Sequence, residues 1–112
     1  MDQREGGIMI YVSTMEEYLD LITQVLFEIQ DLRASVEYDE EFMSDVLVFL
    51  DPLEASVRKL HRSVSEGNYK FSDQNLPFMS IVNATDTTLL PFKHLLIQIN
   101  ETHRHGLSVD RT

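Results

Sequence analysis

Histidine is the side chain best suited to ligate a metal or move a proton near neutral pH, and this chain has four: His61, His94, His103 and His105. His103 and His105 stand in Glu101-Thr102-His103-Arg104-His105-Gly106. On a helix, Glu101 and His105 are four apart and share a face, while His103 points elsewhere. A metal centre there needs a further ligand from another element. His103, Arg104 and His105 at a helix C-terminus are also what the helix dipole favours as cations, and that reading needs no further ligand. His94, in Pro91-Phe92-Lys93-His94-Leu95-Leu96, is expected to be a boundary residue beside an apolar stripe.

His61 has the most suggestive surroundings, Val57-Arg58-Lys59-Leu60-His61-Arg62-Ser63. A helical histidine flanked by arginines raises the idea of a phosphoacceptor, with Arg58 and Arg62 as hydrogen-bond donors that could hold the phosphate. Histidine phosphotransfer domains, however, carry lysine and glycine three and four residues after the histidine, where this chain has Val64 and Ser65. The arginines also make i,i+4 partners for Glu54 and Glu66. Carboxylate-bridged di-iron bundles use paired Glu-x-x-His motifs, and the sequence contains none. Histidine-dependent signalling or metal binding therefore stands as the alternative reading, and a ligand pocket between helices near Pro52 and Pro91 as a further one.

Other chemistry has little support. With no cysteine, thiolate metal sites, disulfides and cysteine nucleophiles are excluded. No nucleophile elbow, phosphate-cradling glycine loop or HExxH motif occurs. Paired acids such as Glu16-Glu17 and Glu40-Glu41 are consecutive, so on helices they diverge and form no acid/base pair. The expectation is a protein without catalytic activity or cofactor.

Charge is more informative. The net charge is −10, with fourteen acids against Arg4 and Arg33 in residues 1–54 and five acids against seven bases in residues 55–112. So acidic a half repels nucleic-acid backbones and attracts a basic protein surface. The leading expectation is a cytoplasmic protein–protein interaction or regulatory module that presents Glu16, Glu17, Asp20, Glu40 and Glu41 to a basic partner. Phe27 joins that candidate surface because it lies opposite its helix's apolar seam, where a partner or a second copy in a homodimer would cover it. Tyr69 and Phe71, in the turn-rich stretch Asn68 to Asn75, are added as loop aromatics. No apolar run reaches the ~20 residues of a membrane span.

These residues must be positioned by helices. Met15, Tyr18, Ile22, Val25, Ile29, Leu32 and Val36 recur at three and four, the period of one helix face. Ser13 and Glu16 fit a capping box. Asp39 opens a second helix with Val46, Leu50, Leu53, Val57, Leu60 and Val64 in one stripe, closed by Gly67. Because the stripe keeps phase across Pro52, a single helix kinked there is expected. The third apolar segment divides into Pro77 to Ala84 and Leu89 to His105, with Thr88 as N-cap and Pro91 in the first turn. The fold class is therefore all-α, an up-down bundle of three to four antiparallel helices. It spans 13–106, between an N-terminal arm (1–12) and a C-terminal tail (107–112).

Overall fold

A computed structural model describes residues 12–107, the side chain of Phe42 excepted. Within them are four α-helices: α1 (Met15–Val36), α2 (Glu40–Ser65), α3 (Met79–Ala84) and α4 (Lys93–His105). No strand occurs among the described residues, and none of the helices is long and apolar enough to cross a membrane. The all-α bundle expected from the 3-4 periodicity is the observed fold.

The seam of α1 is buried as its spacing requires: Tyr18, Ile22, Val25, Ile29 and Val36 are all inside, with Leu21 beside them. Met15 at the start of the stripe is on the surface, and Leu32 is partly covered. Facing them, Val46, Leu50, Leu53, Val57, Leu60 and Val64 of α2 are buried. The two helices run antiparallel, since Arg33 reaches Asp51 and Glu54 while Leu26 lies beside Arg58, His61 and Arg62. Tyr18 meets Ile99 at the middle of α4 and, through Tyr69, reaches His103 near its end, so the start of α1 lies beside the second half of α4. The α1–α2 hairpin and the apolar residues of α3 and α4 bury one continuous core.

Capping differs from expectation by one residue. Thr14, not Ser13, is the N-cap: its hydroxyl accepts from the Glu17 N–H at 3.0 Å, and Glu17 Oε1 accepts from the Thr14 N–H at 3.3 Å. Ser13-x-x-Glu16 and Thr14-x-x-Glu17 fit the same pattern, so the sequence was degenerate at this point. Before α2, the Asp39 carbonyl accepts from the Met43 N–H at 2.7 Å, the bond expected of an N-cap residue. Helix α2 runs through Pro52 without a break. It ends in a Schellman motif: Asn68 N–H to the Ser63 carbonyl, Gly67 N–H to that of Val64, and Gly67 at φ 77°.

The last helix begins four residues later than expected. Thr88 is not its N-cap; Phe92 occupies that position with no side-chain cap. Pro91 disfavours helical geometry at Leu90. The chain instead wraps through a turn, with the Leu89 and Leu90 N–H groups both bonded to the Asp86 carbonyl at 3.0 Å. This rotation buries Leu90 rather than Leu89. Helix α3 is shorter than expected because Pro77 and Phe78 form a turn ahead of it. Gly106, at φ 81°, closes α4. The expected arm and tail lie outside the described residues except for Val12, which is buried in the core, and Leu107, which packs against it.

Candidate interaction surface

The fold takes His103 away from solvent. Burial in α4 leaves it 7% exposed, and its Nδ1 meets the Tyr69 hydroxyl. That hydroxyl lies 3.0 Å from the Tyr18 hydroxyl, which donates to the Ile99 carbonyl at 3.2 Å. The carbonyl can only accept, so it takes the Tyr18 proton. Tyr69 must then donate to Tyr18, and His103 must donate from Nδ1. This hydrogen-bond count assigns the Nδ1–H tautomer. Burial lowers the His103 pKa below the ordinary histidine value, and burial also raises that of Tyr18. His103 is thus a neutral structural residue, not the dipole-stabilised cation expected at a helix end.

Tyr69 and Phe71 are likewise engaged within the chain. Both contact the Tyr18 ring, and they meet one another edge to face at 5.2 Å. Their loop is fastened to α4 by the Ser72 N–H on the His103 carbonyl, the Asp73 carbonyl on Arg104, and the Leu76 N–H on buried Asn100. These aromatics close one end of the bundle.

The remaining histidines stay apart. His105 Nε2 lies 3.0 Å from Glu101 Oε1, the i,i+4 pair expected from their spacing. His94 is exposed. His61, Arg58, Arg62 and Ser65 share one face of α2 and, with Leu26, line an open depression of about 290 Å³. Among the described residues, no three His, Asp or Glu side chains gather as a metal site.

The candidate acids are divided by the antiparallel arrangement. Glu16, Glu17 and Asp20 lie at the start of α1, beside the end of α2; Glu40 and Glu41 lie at the opposite end. Glu17 is further committed to the N-terminal cap, where it also accepts from the Ser13 N–H at 2.8 Å. The second group is the stronger. Between Arg33 and Arg58 the chain has no Lys or Arg, but it has Glu37, Asp39, Glu40, Glu41, Asp45, Asp51 and Glu54. Arg33 is held by Asp51 at 2.9 Å and by Glu54. Glu54 also accepts from Gln30 and Arg58. Burial alone would raise its pKa, but Arg33 and Arg58 hold it below the usual carboxylate range. Among the described residues, Glu37, Glu40, Glu41 and Asp45 at this end have no ion-pair partner.

Apolar side chains stand in this acidic setting. Tyr38, in the turn, is 91% exposed, and Val48 of α2 is 77% exposed. Phe27 is 66% exposed on α1, away from the seam as its spacing indicated. Sequence reading did not single out Val48. The available signal was a valine off the α2 stripe, the feature that distinguished Phe27 on α1. Val48 also borders an open groove of about 510 Å³ between α2 and the α3–α4 turn. No family model, curated protein or solved structure matches the chain.

Proposed function

We propose that this chain is a non-catalytic protein-interaction module that acts in the cytoplasm and uses the α1–α2 turn end to hold a partner with a basic surface. The observation that carries this reading is the uncompensated charge of Glu37, Glu40, Glu41 and Asp45, in a stretch whose flanking Arg33 is already taken by Asp51 and Glu54. Such a field speeds the encounter with a basic surface and rejects acidic ones. Exposed Tyr38 and Val48 supply apolar contact beside it.

The test is affinity capture with the wild-type chain and a Glu40→Lys/Glu41→Lys/Asp45→Lys variant, at low and high salt. A partner held by the wild type should be lost from the variant and weakened by salt. Capture indifferent to both changes overturns the reading. Phe27 is the contact residue for a homodimer, and sedimentation of wild type against Phe27→Ser checks that mode of association.

A second reading is supported by the depression around His61, where Arg58, Arg62 and Ser65 provide donors for a phosphoryl group. Acid-labile phosphate labelling that disappears in His61→Ala would favour it, and unlabelled wild-type protein would dispose of it.

A further inference from the structure

We infer that the groove between α2 and the α3–α4 turn is a docking site for an amphipathic helical segment of a partner, its apolar face flanked by Lys or Arg. The inference rests on the interaction reading above and specifies its site and the partner's chemistry. The apolar lining is Val48, Phe49, Pro52, Ile81, Ala84 and Leu89, with Ser80, Thr85 and Asp86 completing the wall. At about 510 Å³ the space falls within the ~300–1,000 Å³ of sites that take several ligand groups. An apolar strip laid along a helix is a receptor for apolar anchors spaced at three and four on a second helix.

The charge around the groove selects the occupant. Asp86 is the ionisable residue in its lining. Asp45 stands one helical turn before Val48 and Phe49, and Glu41 one turn before that; both are exposed. Lys93, across the turn, has its ammonium on the Thr85 carbonyl at 2.7 Å and does not line the groove. An apolar floor with an acidic border suits an apolar segment bordered by cations. A second copy of this chain is a poor occupant, since each copy carries a net charge of −10.

The test uses two synthetic helical peptides of equal length, with leucines at i, i+3, i+4 and i+7, one flanked by lysines and one by glutamates. The lysine-flanked peptide should bind saturably, weaken with salt, and shift the amide resonances of Val48, Ile81, Ala84 and Leu89. The glutamate-flanked peptide should bind at least about tenfold more weakly. Val48→Ser, at a site already exposed and without a change of charge, should keep the wild-type melting curve and lose about tenfold in affinity for the lysine-flanked peptide. If both peptides bind equally, the shifts fall elsewhere, Val48→Ser binds as wild type does, or the groove proves to be a self-association face, the inference is overturned. Failure here is distinguishable from failure of the broader reading. Salt-sensitive capture lost in the triple lysine variant but retained in Val48→Ser would leave the acidic end in use and the groove without a role.

Discussion

The residue whose environment departs furthest from expectation is His103. Its position near the end of α4 suggested a solvated cation, yet the loop from Asn68 folds back and covers it with Tyr69. Nothing in the local sequence marks this contact, because the two residues meet only through the return of a loop onto a helix. The neutral Nδ1–H form satisfies Tyr69, Tyr18 and the Ile99 carbonyl in one chain of donors. A second proton would go to Nε2, for which the described residues provide no acceptor, in a site that already disfavours charge. With the folded-state pKa below its unfolded value, the unfolded chain takes the proton first as pH falls. This contribution to stability is full above about pH 6.5 and declines below it, until the folded value is passed. Melting curves between about pH 7 and pH 5 should therefore show a falling midpoint that flattens in His103→Gln. Tyr69→Phe should lose about 1–2 kcal/mol at neutral pH, since it deprives both His103 and Tyr18 of a partner.

At the scale of elements, periodicity was the strongest signal and boundaries the weakest. Every apolar position from Tyr18 to Ile29 at three-four spacing is buried, because one helix face can satisfy that pattern only by facing a core. Boundaries depended on choices with close energies, such as two overlapping capping boxes, or on one steric rule, such as the effect of Pro91 on Leu90. Pro52 is the informative case. The stripe Leu50, Leu53 and Val57 stays buried on both sides of it, so tertiary packing holds the helix through a residue that opposes helix formation. The Arg33, Gln30 and Arg58 bonds to Glu54 fasten α2 to α1 and to itself within one turn after the proline. Pro52→Ala restores the missing N–H without removing a buried contact, since Pro52 is exposed. Chemical denaturation should show a gain of roughly 1–3 kcal/mol. A loss would mean that the proline is required by the folded backbone, contrary to this account.

For the whole molecule, the charge imbalance was legible in the sequence, but its placement was not. A count by halves assigns the excess to the first 54 residues; only the antiparallel hairpin shows that the acids separate into two ends. One end lies beside the bases of α2, and the other stands without them. The groove was legible only in part. A pocket near Pro52 and Pro91 was expected, and the observed groove includes Pro52 and reaches Leu89. The wall supplied by Ser80, Ile81 and Ala84 of α3, about thirty positions after Val48 and Pro52, depends on the tertiary fold.

Asp45 brings stability and interaction into opposition. It is exposed one turn after Glu41, a like-charge i,i+4 pair that disfavours the helix, and it borders the groove as well. Asp45→Lys exchanges that repulsion for attraction, so the folded protein should gain about 0.5 kcal/mol at low salt, with the gain fading as salt is added. The same substitution should weaken the lysine-flanked peptide. Measuring both on one variant separates two origins of the acidic end. A variant that is more stable and binds less well identifies these carboxylates as residues kept for contact at some expense to the fold. A variant that is more stable and binds unchanged makes Asp45 a solubilising surface charge.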